Sequence, residues 1–199
     1  RLDDPAIQKG LSDYAGLMTA GPSDILSYNW NEAGNAFCAG QAAFFADASL
    51  FGPWFETDDC PAVKGNTGYM ALPPQTKGGT SYTANWQWGI GMGANAQEKD
   101  AGWYFIQYMT NKASEAVIGT FHGGAGRLST WENDSYTSTL NPDYVSATLE
   151  SMKTVRTSVV PVKDFNKYAL EIMDVILDIH SGANSADATA KGNANFKAM

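Results

Sequence analysis

Residues 85–93 read NWQWGIGMG, and the alternation of bulky and small side chains in this stretch decides how the fold is interpreted. Four large apolar residues, from Trp86 to Met92, recur at a period of two, with three glycines among the residues between and after them. A period of two is typical of a β-strand that carries its large side chains on one face. The glycine face leaves room for a packed helix or for a ligand, and the pattern does not choose between them.

A dinucleotide-binding loop is the competing interpretation of this stretch. Residues 89–94, GIGMGA, match the G-x-G-x-x-A fingerprint. That fingerprint requires a tight turn leading directly into a helix, with an acidic residue about 20 positions further on. Here the glycines alternate along a predicted strand, the next helix is predicted to begin only after Asn95, and no acidic partner stands at the expected distance. The nucleotide hypothesis is therefore disfavoured.

The composition indicates a globular chain that does not bind polyanions. The 199 residues carry a formal net charge of −8, and 44% of them are hydrophobic. A basic nucleic-acid footprint and a polybasic membrane-binding face are both excluded by that charge. No apolar run reaches the length of a membrane span, so no membrane insertion is predicted. Aromatic residues make up 12% of the chain, which suits either a large core or stacking on a ring-shaped ligand.

The two cysteines, Cys38 and Cys60, do not stand in a zinc-binding pattern, because no further Cys or His ligand lies close by in sequence. A disulfide would fit an oxidising compartment, and two reduced thiols in a core are the alternative. No cofactor is predicted.

Helix and strand signals predict an α/β fold with the strands in the first half of the chain. Strands are predicted at residues 42–47, 65–74 and 83–93. Helices are predicted at residues 3–20, 30–38, 49–55, 95–111, 114–121, 141–155 and 164–182 and from Ser185 onward. Asp3 or Asp4, Asn95 and Asn141 are the predicted caps of their helices.

Catalytic motifs are absent from the sequence. It contains no H-E-x-x-H, G-x-S-x-G or Walker A pattern, and two histidines in all. Asp47 is the last residue of a predicted strand, where open α/β sheets present ligand-binding groups, and it is the strongest single carboxylate candidate. A binding protein is thus favoured over an enzyme.

Three stretches together resemble family 1 extracellular solute-binding proteins, which serve carbohydrate ABC importers. FCAGQAAFFADASLFGPWF (residues 37–55) is similar to the family's F-x-x-G-x-A-A-M…G-P-W segment. GNTGYMALPPQTKGG (65–79) resembles the following strand, which ends in Leu-Pro, and WGIGMGANAQEKDAGWYFIQYMTNKASEA (88–116) resembles the next strand and its aromatic helix. The order and spacing of the three stretches match as well.

The resemblance implies a type II periplasmic-binding-protein fold, in which two α/β lobes hold a ligand in the cleft between them. The chain corresponds to the second half of such a protein, so the N-terminal half is an expected partner. Residues 1–84 would begin the C-terminal lobe, residues 85–138 would cross a hinge strand into the N-terminal lobe, and residues 139–199 would return to the C-terminal lobe.

The resemblance also implies binding residues. Trp54 matches a tryptophan that stacks on a sugar ring in maltose-type members, with burial in the lobe core as the alternative. Asp47 would accept hydrogen bonds from sugar hydroxyls, or would cap the following helix. Trp86 and Trp88 would lie beside the cleft or in the core.

Two positions depart from the family pattern. Arg127 resembles the arginine of a P-x-R loop, although glycine replaces the proline, and a salt bridge across the surface is its default role. Lys167 stands where maltose-type members have a second stacking tryptophan, with Tyr168 beside it. The loss of one aromatic platform favours a mono- or disaccharide or a polyol over a long maltodextrin.

The implied function is the substrate-binding component of a sugar ABC importer, located in the periplasm. It would bind a small neutral carbohydrate or polyol, close, and deliver the ligand to the permease subunits in the membrane. A carbohydrate-active hydrolase using Asp47 with a second carboxylate is one alternative. A sugar-sensing module that docks on a receptor is another.

Overall fold

The computed structural model describes residues 1–122, 124–157 and 162–199, without the side chains of residues 121 and 122. It is mostly helical. The helices and strands, in chain order, are α1 (Pro5–Thr19), α2 (Trp30–Cys38), α3 (Phe51–Phe55), β1 (Thr83–Asn85), α4 (Lys99–Thr110), α5 (Lys112–His122), α6 (Leu128–Trp131), α7 (Asp134–Thr137), α8 (Pro142–Met152), β2 (Val155–Thr157), α9 (Phe165–His180) and α10 (Ser185–Ala198).

Local capping signals explain where several helices begin. The Asp4 carboxylate accepts a hydrogen bond from the Ala6 amide, and Pro5 occupies the first turn of α1. Asn141 caps α8 in the same way, with Pro142 following it. Asn184 caps α10 by accepting from the Ala186 amide. The predicted cap at Asn95 is wrong, because α4 begins at Lys99 and Asn95 lies outside it.

The predicted strands are largely wrong. Among the described residues the sheet consists of β1 paired in parallel with β2, with Thr83 opposite Val155 and Asn85 opposite Thr157. Residues 42–47 and 65–74 form no strand, and only the first three residues of 83–93 do. Phe44, predicted to be buried in a strand, is 90% exposed. Apolar patterning marks residues suited to a sheet, but a strand also needs a neighbouring strand for its backbone hydrogen bonds.

The chain divides into two compact units. The smaller unit comprises Arg1–Asn29 and Val159–Met199, and the larger one Trp30–Ser158. The predicted segments 1–84, 85–138 and 139–199 refer to the lobes of a two-lobed protein rather than to these units, and they stay a prediction.

In the smaller unit α1, α9 and α10 pack around a core of Leu2, Val175 and Ala188. The Leu2 amide donates to Asn193 Oδ1 at 2.8 Å, which holds the start of the chain on α10. Gly192 allows both Leu2 and α9 to approach α10 closely, because a Cβ there would lie 2.9 Å from a methyl group of Leu2 and 2.6 Å from one of Val175.

The larger unit has two aromatic clusters. The first surrounds a disulfide between Cys38 and Cys60 and includes Phe51 and Phe55 of α3. The second contains Ala125, Trp131, Tyr136 and Tyr144. Gly52 of α3 lies against Tyr144, and a Cβ there would be 2.3 Å from a ring carbon. The short helix α3 therefore contacts both clusters.

Breaking the disulfide should lower the free energy of unfolding. The bond joins residues 22 positions apart, and loop-closure entropy for that separation gives about 3 kcal/mol. Urea denaturation of the wild type with and without reductant measures this loss while keeping both sulfur atoms. The double variant Cys38→Ala/Cys60→Ala should be insensitive to reductant. An unchanged wild-type midpoint after complete reduction would contradict the prediction.

Gly52→Ala should destabilise the larger unit by about 1–3 kcal/mol, because the added methyl group overpacks the Tyr144 ring. Alanine is otherwise the better helix former, so a loss of stability isolates the clash from helix propensity. Gly68→Ala is the matched control, since a Cβ at Gly68 meets no atom within 4 Å. Urea midpoints of the two variants should differ clearly, and equal midpoints would show that Tyr144 moves aside at little cost.

Candidate functional site

Trp54 lies at the surface of the disulfide cluster. It is half-buried on α3, and its ring packs against Phe51 and Phe55, with ring centroids 5.8 and 5.5 Å apart. One part of the indole thus contributes to the core, while the rest stays accessible. Both sequence-based interpretations, core and ligand platform, are compatible with this position.

Asp47 lies in the irregular segment between α2 and α3, and its carboxylate is anchored by two donors. The Trp30 indole N–H donates to Oδ1 at 2.9 Å, and the Ala48 amide donates to the same oxygen at 2.6 Å. The residue itself is exposed. It does not cap α3, whose first residue is Phe51 and which has no side-chain cap.

Trp30 connects Asp47 to Trp54. The first residue of α2, it packs its ring against Phe51 with a centroid separation of 4.6 Å. Phe51 in turn contacts Trp54. A continuous chain of contacts therefore runs from the carboxylate to the half-buried indole. This role of Trp30 could not be predicted from the sequence, because Trp30 and Asp47 are 17 positions apart and no local pattern links them.

Trp86 and Trp88 are 67% and 84% exposed. A Cβ placed on Gly89, Gly91 or Gly93 would meet no atom within 4 Å, so no helix packs on the glycine face in the described part of the chain. The structure places neither tryptophan in a core.

Helix α4 follows this segment and is apolar on most of its circumference. Met92 touches it, since a Cβ on Gly102 would lie 2.8 Å from the Met92 sulfur. No described residue of α4 is buried, and its exposed aromatic residues are Trp103, Tyr104, Phe105 and Tyr108. A helix that is hydrophobic nearly all round is normally covered. An exposed patch of this kind marks an interaction surface.

Neither Arg127 nor Tyr168 is a member of the Asp47–Trp54 chain of contacts. The Arg127 guanidinium donates to the Thr110 carbonyl at 2.6 Å and forms a salt bridge with Glu115 at 3.3 Å. It thereby fixes the start of α6 to the end of α4 and to the first turn of α5. Tyr168 belongs to the smaller unit, where its ring meets Phe196 edge-on at 5.3 Å.

Glu56 is a polar hub that the sequence analysis missed. Its carboxylate accepts hydrogen bonds from Tyr69 Oη at 3.0 Å, Asn141 Nδ2 at 3.1 Å and the Gly65 amide at 2.9 Å. It joins the end of α3 to the segment before β1 and to the cap of α8. The residue types alone gave no signal, because the partners span 85 positions.

The neighbouring rings of Tyr69 and Tyr144, with centroids 5.5 Å apart, both have raised pKa values. Burial, followed by the hydrogen bond to Glu56, raises the pKa of Tyr69 above its ordinary value. Burial raises the pKa of Tyr144 to about 12, with a smaller contribution from Tyr136. In both cases the folded state favours the neutral phenol.

No group of three or more His, Cys, Asp or Glu residues that could hold a metal ion occurs within residues 1–122, 124–157 and 162–199. No helix in the same residues is long and apolar enough to cross a membrane.

Comparison with known proteins gives one family. The family model described as bacterial extracellular solute-binding protein matches residues 2–116, more than half of the chain. No curated protein matches. The matched residues include α1 to α4 and therefore the whole Asp47–Trp30–Phe51–Trp54 chain of contacts.

Stability should fall in alkaline solution. Because the folded-state pKa of Tyr144 is raised above 10.0, its contribution is fully present below pH 10 and is lost as the pH rises toward about 12. Between pH 8 and 11 this one group should cost about 1 kcal/mol. Urea denaturation across this range should show a smaller loss for Tyr144→Phe than for the wild type.

The matched control for this titration is Tyr14→Phe, which removes an exposed phenol. A Tyr144→Phe profile that equals those of the wild type and of Tyr14→Phe would contradict the raised pKa of Tyr144.

Proposed function

Because the chain belongs to the bacterial extracellular solute-binding protein family, we propose that it binds a small neutral carbohydrate or polyol for an ABC importer. The family is extracytoplasmic, generally serves ABC transporters and is generally not enzymatic. The proposal adds the ligand class, the periplasmic location and delivery to the permease.

The observation that carries the sugar assignment is the contact chain from Asp47 through Trp30 and Phe51 to Trp54. A pyranose or polyol has apolar C–H faces and many hydroxyl groups. A half-buried indole offers a flat apolar surface for the first, and an exposed carboxylate offers a charge-assisted acceptor for the second. The acidic chain suits an uncharged ligand, since it would repel a polyanion.

The ligand would lie in a cleft between two lobes of a type II scaffold. The exposed aromatic side chains of α4, together with Trp86 and Trp88, support a covering partner for this face. We assign that role to the N-terminal half of the same protein, with residues 85–138 crossing the hinge. Trp86, Trp88 and Arg127 would be secondary residues of the cleft, and a binding role for Tyr168 stays a prediction from the family resemblance.

Ligand binding would shift the equilibrium between an open and a closed form of the protein. A sugar that contacts both lobes binds the closed form more tightly than the open form, and it stabilises closure by that difference in affinity. The permease would then recognise the closed form.

Calorimetric titration of the full-length protein with D-glucose, maltose and D-sorbitol tests the proposal. We expect saturable binding of one of them, and a loss of about 1–3 kcal/mol in Trp54→Ala, as for a stacked aromatic anchor. Tyr14→Ala removes an exposed aromatic ring from α1 instead and should leave the affinity unchanged. A sugar that binds Trp54→Ala as tightly as the wild type would remove Trp54 from the site.

Turnover separates binding from hydrolysis. Release of a chromophore from nitrophenyl glycosides by the purified protein would show an enzyme and would overturn the transport proposal.

A further inference from the structure

The two oxygens of the Asp47 carboxylate differ in the hydrogen bonds that they accept. Oδ1 accepts both hydrogen bonds, from the Trp30 indole at 2.9 Å and from the Ala48 amide at 2.6 Å. Oδ2 accepts no hydrogen bond from the residues that the structure describes. Each carboxylate oxygen has about two lone-pair sites. The two donors fill those of Oδ1, whereas those of Oδ2 can accept hydrogen bonds from a ligand.

This arrangement needs an anchor, because Asp47 does not lie on a regular element. It belongs to the irregular segment between α2 and α3, where the side chain has no helix or strand to fix its direction. Trp30 supplies a fixed point, since it is the first residue of α2 and its ring rests on the buried Phe51 at 4.6 Å. Its indole N–H, a donor with no acceptor function, sets which oxygen faces away.

We propose that Trp30 positions Asp47 so that Oδ2 accepts hydrogen bonds from two neighbouring hydroxyl groups of the ligand. The inference rests on the proposed function and narrows it, because the ligand must carry a vicinal diol. Trp30 is a positioning residue here and acts through Asp47. The remaining lone pairs match two O–H donors, and a ligand with only one of the two hydroxyls leaves an acceptor unfilled.

A double-mutant cycle in the full-length protein tests the role of Trp30. D-Glucose, maltose and D-sorbitol are titrated calorimetrically against the wild type, Trp30→Phe, Asp47→Asn and the double variant. Phenylalanine keeps an aromatic ring for contact with Phe51 and removes the N–H donor together with one ring of the indole, a loss of ring area that the control below shares. We expect Trp30→Phe to weaken binding about ten- to a hundredfold, as for one charge-assisted hydrogen bond. The double variant should bind like Asp47→Asn alone, because the effect of Trp30 passes through the carboxylate.

Trp131→Phe is the matched control. It also removes an indole hydrogen bond, to the Ala125 carbonyl at 2.8 Å, and it lies in a buried cluster that does not include Asp47. It should lower the unfolding temperature without changing the affinity. A purely structural role for Trp30 would give the same result in Trp30→Phe.

The vicinal-diol requirement has its own comparison. If D-glucose binds, 2-deoxy-D-glucose and 3-deoxy-D-glucose are titrated as well. At least one of them should bind the wild type more weakly than D-glucose does. For that analogue, Trp30→Phe should lower the affinity little further. If D-sorbitol or maltose binds instead, their monodeoxy analogues take the same place.

The outcomes separate the two ideas. A sugar that binds the wild type and Trp30→Phe equally, or additive losses in the double variant, overturns the positioning role and leaves the proposed function standing. Failure of all three sugars to bind the wild type overturns both. Weaker binding in Trp30→Phe, together with a double variant that binds the sugar as Asp47→Asn does, supports the inference.

Discussion

The contact between Gly52 and the ring of Tyr144 is the constraint on which the larger unit depends. Helix α3 has only five residues, and a helix of that length has no stability of its own in water. Its conformation comes from packing on two sides, with Phe51 and Phe55 in the disulfide cluster and Gly52 beneath Tyr144. A larger residue at position 52 would separate the two aromatic clusters.

The position of α3 fixes the candidate site in turn. Trp54 lies one residue before the buried Phe55, so it stays at the edge of the cluster and keeps part of its ring accessible. Asp47 has no such support from its backbone. It depends on the Trp30 indole and the Ala48 amide for its direction. Trp54 and Asp47 are thus held in different ways, the first by packing and the second by polar contacts.

Local features of the structure followed from the sequence, and features that depend on distant residues did not. The caps at Asp4 and Asn141 and the bounds of α2 rest on signals within a few residues, and they were predicted correctly. The strands at 42–47 and 65–74 were wrong, because a pairing partner is supplied by residues far away in sequence. Within the candidate site, the residue types and the family resemblance indicated Trp54 and Asp47. The hydrogen bond between Trp30 and Asp47 spans 17 positions and could not be predicted. The Glu56 hub spans 85 and left no local trace.

The stretch at residues 85–93 is where the sequence and the structure differ most, and the difference has a physical meaning. Alternating tryptophan and glycine residues are typical of a strand against which other groups pack on both faces. The described residues leave the glycines in open space and the tryptophans exposed, beside an α4 that buries none of its aromatic side chains. Apolar side chains of this size stabilise a structure only when they are removed from water. The pattern therefore belongs to a surface that is complete when a second body covers it. A cleft between two lobes is one arrangement in which such a surface closes over a ligand.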